Sequence, residues 1–216
     1  METIQPSEFF IQRLRERLAN LRSQYPEIFK IFSYTHKMEL TCLNWLVSLL
    51  LPKSTIFEIG SHLGASACFM AAAAKENKSL VTCVDTWDNR AMPEKDKGID
   101  SKKEFAKNTK IFIEDDVLTP IVGFSSEIAK DFYLYTPFSN SPMINLLFID
   151  GDHSYEGVTA DIEPWIPLCA PGCIVVFHDY GGKYGRPAIR QAVEEKIWPI
   201  QKGPGNVFDS LYWCTI

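Results

Sequence analysis

The chain has 216 residues, 46% of them hydrophobic and 23% charged, enough to bury one sizeable core and to predict one compact domain. A formal net charge of −5 argues against the phosphate backbone of nucleic acids as a partner. The lysine-rich stretch from Glu94 to Lys110 mixes both signs, as a solvated helix face does. No run approaches the roughly 20 apolar residues of a membrane span. Met1 to Pro6 shows neither the basic nor the apolar region of a secretory signal, so the expectation is a cytoplasmic protein without a membrane partner. Six cysteines include no Cys-x-x-Cys pair, and Cys68, Cys83, Cys173 and Cys214 sit in apolar company, as reduced core residues do.

In chain order, Ile11, Leu14, Leu18 and Leu21 recur at helical spacing, with Arg13, Glu16 and Arg17 on other faces. A second helix is predicted over Lys37 to Leu51, carrying Leu40, Leu43, Val47 and Leu50 and stopped by Pro52. Strands and helices then alternate. Thr55–Ile59 precedes Ala65–Lys75, and Leu80–Val84 precedes about Asp100–Lys107. Leu118–Val122 precedes Ser126–Tyr135, Ile144–Ile149 precedes Val158–Trp165, and Cys173–Phe177 precedes Ala188–Lys196. Leu211–Ile216 is a last strand. Short apolar strands alternating with helices predict an α/β fold, doubly wound around a mostly parallel sheet. Residues 1–50 fall outside the alternation and are expected to form a helical cap over one sheet edge or over the site, leaving 51–216 as the ligand-binding domain.

Two of these strands end in chemistry. The apolar run up to Ile149 stops abruptly at Asp150-Gly151-Asp152-His153, and Cys173 to Phe177 runs into His178-Asp179-Tyr180. A buried strand that ends this way delivers polar groups to the carboxyl edge of a sheet, where α/β proteins place ligands. The first strand ends in Glu58-Ile59-Gly60-Ser61-His62-Leu63-Gly64-Ala65-Ser66, two glycines and two serines where a strand turns into a helix. Asp85, 21 residues after Gly64, is placed to bond a ribose diol. A dinucleotide site prefers a glycine where His62 stands, because its backbone must approach a pyrophosphate. Glu58 would also repel phosphate, while suiting a ligand with an ammonium or sulfonium. S-Adenosylmethionine therefore fits these residues better than NAD.

Glu58 to Ser66, Val84-Asp85-Thr86-Trp87, Phe148 to Gly157 and Phe177 to Tyr180 together resemble the class I S-adenosylmethionine-dependent O-methyltransferases. The nearest branch is that of the macrocin- and rhamnosyl-type sugar and antibiotic O-methyltransferases, distantly similar to catechol O-methyltransferase. The resemblance covers about Leu51 to Ile216 and implies a Rossmann-like, seven-stranded sheet. It implies that Glu58, Gly60, Ser61, Gly64 and Ser66 hold the methionyl part of the cofactor, with Asp85 and Thr86 at the ribose and Asp150 alongside. Gly123-Phe124-Ser125 stands where the family frames the adenine with Gly-Asp-Ser, so Gly123 and Ser125 carry over and the aspartate is missing. A divalent metal, magnesium in the first instance or manganese, would be held by Asp150, His178 and Asp179. His178 departs from the family's oxygen donor, which points to a nitrogen-tolerant metal, to a non-ligand histidine, or to no metal.

Methyl transfer from a sulfonium to a hydroxyl is an in-line displacement that needs an oriented oxygen and a base for its proton. Asp152 and His153 are the two candidates. Asp152 matches the base of the sugar-type relatives, and His153 lies three residues after Asp150, where catechol-type relatives carry a lysine, with an unperturbed pKa near neutrality. The partner is a small hydroxylated molecule, a sugar or glycosylated metabolite, and a homo-oligomer is compatible with the sequence. Plainer roles compete elsewhere. His62 and His36 can pack at helix starts, Tyr155 and Glu156 can brace a loop, and Trp45, Trp165, Trp198 and Trp213 read as core. The glycine-rich loop Tyr180 to Pro187, with Tyr184 and Arg186, is a lid candidate, and Trp87 to Gly98 is a second. A phosphoesterase would need further Asp, His or Asn ligand motifs that four histidines do not supply, and a non-catalytic nucleotide-binding module would not need Asp150, Asp152, His153 and Asp179 together.

Overall fold

Strands that are apolar on both faces are stable only where helices cover each side of their sheet, and this chain meets that demand. The computed structural model describes residues 3–88, 98–134, 144–183 and 185–216. Its strands are β1 (Thr3–Ile4), β2 (Thr55–Ile59), β3 (Leu80–Asp85), β4 (Leu118–Val122), β5 (Ile144–Ile149), β6 (Cys169–Phe177), β7 (Gly205–Phe208) and β8 (Leu211–Thr215). They form one sheet in the order β1-β7-β8-β6-β5-β2-β3-β4. Pairing is parallel from β6 to β4, whereas β8 runs antiparallel to both β6 and β7. The expected doubly wound, mostly parallel sheet is present, with eight strands in place of seven. The addition is β1, which pairs parallel to β7 at the sheet edge. Two residues cannot show a period of two, so this strand is invisible in a segment expected to be helical.

Helices α1 (Glu8–Gln24), α2 (Lys37–Ser48), α3 (Ala65–Asn77) and α4 (Ser101–Glu114) cover one face; α5 (Ser125–Ile128), α6 (Tyr155–Trp165) and α7 (Pro187–Lys196) cover the other. Alternation sorts the strand residues accordingly. Ile56, Phe148 and Val176 join the core under α1–α4, while Phe57, Leu147 and Val175 join that under α5–α7. α3 is buried at every position from Ala65 to Ala74, because α2 lies over it and its small alanines admit close approach. Leu14 and Leu21 of α1 and Leu40 and Leu43 of α2 share the core of the first face, so the N-terminal helices pack on the sheet as continuous structure. The helix expected over Ser126–Tyr135 is shorter: after Ile128 it tightens into a 3-10 turn to Leu134, with Asp131 off helical geometry, and Tyr135 lies outside the described residues. Five of the six cysteines are buried and all are free. Among the described residues no helix is long and apolar enough to cross a membrane.

Backbone bonds continue the ladder one residue past the strands. Gly60 N donates to Val84 O (2.9 Å), Asp150 N to Ile59 O (2.8 Å), His178 N to Ile149 O (3.2 Å) and Gly123 N to Asp85 O (3.0 Å). Gly123, Asp85, Gly60, Asp150 and His178 therefore stand in one row at the carboxyl edge. The chain leaves β2 toward β3 and β4 and returns on its other side at β5, which puts the switch point at Gly60 and Asp150.

Candidate active site

The turn after β2 can only be made by glycine. Gly60 has φ +84°, and a Cβ there would collide with the Asp150 carbonyl, so the two strand ends cross at backbone contact. Gly64, at φ +87°, caps α3 where a Cβ would come within 2.7 Å of Thr109 Cγ2. Asp85 holds this loop: its Oδ2 accepts from Ser61 N and His62 N at 2.8 Å each, and its Oδ1 accepts from Trp87 N at 2.7 Å. The residue expected at the ribose thus also has a structural task, and a carboxylate with about four lone-pair positions keeps one for a diol. Trp87 is 8% exposed and its Nε1 donates to His62 O at 2.8 Å, which locks the start of the second lid candidate under the loop; residues 89–97 lie outside the described residues. His62 stacks on Tyr34 at 5.8 Å, the packing role open to it. Thr86 is half-buried beside Asp85, and Ser61 and Ser66 are buried.

Glu58 lies beneath this loop, fully buried. Ser66, Ser61 and Cys83 are close enough to ease its charge, yet neither carboxylate oxygen makes a hydrogen bond of acceptable geometry among the described residues. Desolvation pushes the carboxyl up to about 7, with Asp150 adding to the shift. A buried carboxyl without a partner is costly. A ligand cation over Gly60 would relieve that cost, and this is the fit of the site to an ammonium or sulfonium.

At the ends of β5 and β6 an acid–imidazole cluster forms. His178 Nδ1 lies 3.2 Å from Asp150 Oδ1 and 3.4 Å from Asp179 Oδ1, while its Nε2 points toward Glu39 Oε2 at 3.9 Å. Burial would push its pKa down, but Asp150 first, then Asp179 and Glu39, hold it well above the ordinary value, as an imidazolium. Asp179 is held below the usual carboxylate range, burial being overcome by His178 and then His153. His153, more exposed, places Nε2 3.2 Å from Asp179 Oδ2. Donor atoms of Asp150, His153 and Asp179 all lie within 4.8 Å of one another, a group able to hold a cation. Of the expected metal residues, Asp150 and Asp179 stand in that group, and His153 stands in it where His178 was expected.

Asp152 is exposed, and its Oδ1 accepts from Ser154 N at 2.8 Å in the turn that starts α6. Tyr155 donates to Glu195 on α7 at 2.5 Å, a bracing contact, and Glu156 is exposed. The loop from Tyr180 to Pro187 borders a hollow of about 240 Å³ that also includes Arg190, and Arg186 N donates to Asp179 O at 2.6 Å; Tyr184 lies outside the described residues.

Two acids at the site went unnoticed in the sequence. Glu39, 3% exposed on α2, accepts from Ser210 N (2.9 Å), Ser210 Oγ (2.5 Å) and His36 N (3.0 Å). The last bond is half of a capping box with His36, so His36 caps α2. That box was the available signal for Glu39, but it reads as a local motif. Asp161 on α6, 9% exposed, accepts the Ser125 hydroxyl just past β4, where Gly123 also lies. Phe124, between Gly123 and Ser125, is 55% exposed.

Residues 57–180 match the model of the family described as "Methyltransferase domain". Solved structures that share the fold include three O-methyltransferases. The TDP-rhamnose 3′-O-methyltransferase of calicheamicin biosynthesis has a TM-score of 0.62 at 16% identity, over 99% of this chain and 97% of that one. An O-methyltransferase from Bacillus cereus in complex with S-adenosylhomocysteine (SAH) has 0.62 at 14%, over 98% and 92%. TomG from Streptomyces achromogenes, bound to S-adenosylmethionine, has 0.61 at 16%, over 93% and 89%. Among curated sequences, an uncharacterized protein of Sinorhizobium fredii is 32% identical over 173 residues, 76% of this chain and 18% of its own length. An uncharacterized protein of Acanthamoeba polyphaga mimivirus is 37% identical over 60 residues, 28% of this chain and 27% of its own length. The chain therefore spans under a third of the curated relatives it matches. With a family model matched over more than half of its length, and the sheet order and glycine turn in place, the chain belongs to the methyltransferase-domain family.

Proposed function

We propose that the protein transfers the methyl group of S-adenosylmethionine to a hydroxyl of a small acceptor, a sugar or a glycosylated metabolite. The observation that carries this reading is the buried, unpaired Glu58 beneath the Gly60 turn, one strand away from the Asp150–His153–Asp179 group. One position receives a cation, and the other handles a proton. Glu58 and the Gly60 turn would receive the cofactor's cationic end, and Asp85 its ribose. S-Adenosylmethionine would supply the methyl group to an acceptor hydroxyl at the ends of β5 and β6, the O–C bond forming as the S–C bond breaks and SAH leaving. His153 takes the hydroxyl proton, its ring oriented by the Asp179 contact at 3.2 Å. His178, held as an imidazolium between Asp150 and Asp179, keeps those two carboxylates at a fixed spacing.

The same donors fit a divalent cation, two carboxylates and one imidazole suiting manganese or a similar ion, or magnesium on the carboxylates with waters. Such an ion on Asp150, His153 and Asp179 would acidify the acceptor hydroxyl, and the exposed Asp152 is then the base left to receive its proton. Calorimetric titration with S-adenosylmethionine, SAH and NAD, with magnesium or with EDTA, tests the reading. Binding of NAD without S-adenosylmethionine or SAH would sink it. Full turnover in EDTA would remove the metal and leave His153 as base.

A further inference from the structure

Asp161 on α6, 9% exposed, takes no part in moving the methyl group or the proton. One of its carboxylate oxygens accepts the Ser125 hydroxyl, just past β4. The other lies against Gly151, just past β5, so near that a Cβ on residue 151 would come within 2.7 Å of Oδ2. β4 and β5 flank β2 and β3 in the sheet. The Ser125–Asp161 contact therefore closes the α5–α6 side of the space in front of Gly60 and Asp85. Glu58 belongs to the opposite side: it alternates with Phe57 and Ile59, which face α5–α7, and Ser66 of α3 lies beside it. A ligand whose cationic end meets Glu58 and whose ribose meets Asp85 has its base directed to the remaining side, where Asp161 waits.

We propose that Asp161, oriented by Ser125, accepts the 6-amino hydrogen of the cofactor's adenine. The assignment rests on the S-adenosylmethionine reading and adds a cofactor-binding residue to it. Gly123-Phe124-Ser125 offers no carboxylate at the end of β4, and α6 supplies one from a different element. Burial, first of all, raises the Asp161 carboxyl to about 6, the Ser125 bond opposing and Asp152 adding. A neutral N–H donor suits such a group, because it adds a hydrogen bond without importing a second charge. Gly151 is required for the arrangement, because any side chain there would occupy the space of Oδ2.

The test is a calorimetric comparison of SAH with S-inosylhomocysteine, which carries an oxo group in place of the 6-amine and a hydrogen on N1. The full chain should prefer SAH by roughly 10- to 100-fold, the worth of one hydrogen bond to a charged group. Asp161→Ala should shrink that preference at least about fivefold. Asp161→Asn keeps the shape and the Ser125 contact and decides the matter if the alanine variant does not fold. Its amide can turn oxygen to the amine or nitrogen to the oxo group, so its preference should fall to within about threefold of unity. Variants that keep the wild-type preference, or a wild type that has none, overturn the assignment. A wild type that binds neither ligand overturns the cofactor reading, and this assignment with it.

Discussion

Glu58 should tie cofactor affinity to pH. Burial raises its carboxyl from 4.5 to about 7. At about 1.4 kcal/mol per unit, ionising it inside the fold costs about 3 kcal/mol more than ionising it in the unfolded chain. The folded protein holds this proton more tightly. The group therefore costs nothing below pH 4.5, progressively destabilises the fold as pH rises to about 7, and carries its full penalty above. A bound S-adenosyl ligand supplies the missing cation and favours the carboxylate. Binding at pH 6 should then expel close to one proton, and the association constant should rise about tenfold from pH 6 to pH 8. Titration of SAH at those pH values, in two buffers of different ionisation heat, counts the proton directly. Glu58→Gln should flatten the profile, weaken SAH binding at pH 8 by at least about tenfold, and raise the unfolding midpoint there, since an amide carries no charge to bury. A flat wild-type profile, or the same slope in the glutamine variant, would refute the reasoning.

Three further outcomes follow from single contacts. Asp150→Ala removes the residue shared by the His178 pairing and the cation-binding group, and should cut turnover at least about a thousandfold while circular dichroism stays near wild type; retained activity takes Asp150 out of the mechanism. Gly60→Ala imposes about 1–2 kcal/mol of left-handed backbone strain before its Cβ meets the Asp150 carbonyl, so urea unfolding should show a larger loss, with SAH binding abolished. An unchanged urea curve would mean that the two strand ends can separate freely. Glu39→Ala strips the acceptor from Ser210 N, Ser210 Oγ and His36 N and should cost about 3 kcal/mol in the same assay. A loss below about 1 kcal/mol would show that α2 is not anchored through this carboxylate.

The parallel strands were legible because each is a short apolar run with turn residues at its end, and the strand ends were legible because Asp and His rarely follow such runs without purpose. What escaped the sequence depends on crossings. Glu39 meets Ser210 across 171 residues only because α2 passes over the turn before β8, and nothing at position 39 beyond a capping motif announces it. The group able to hold a cation includes His153 for a similar reason. His178 continues the alternation of β6, which turns it to the face of Val176, where α2 and Glu39 lie. Asp179 breaks the alternation with φ +56°, so its carboxylate can meet both His178 and His153. A strand period predicts opposite faces for neighbouring residues, and one left-handed residue cancels that rule.

Charge at the strand ends also explains why the glycine turn suits one cofactor and repels another. Asp85 is satisfied by three backbone N–H groups, and Glu39 by Ser210, His36 and the His178 imidazolium. Asp150 and Asp179 share that same imidazolium, and Glu58 meets no cation among the described residues. Carboxylates thus outnumber cations along the whole row from β3 to β6. A pyrophosphate laid across Gly60 would add two negative charges at the point where one carboxyl already resists ionising. A sulfonium or ammonium at the same point removes that resistance. The sign of charge favoured at the turn is set by a residue on β2 and not by the glycines around it.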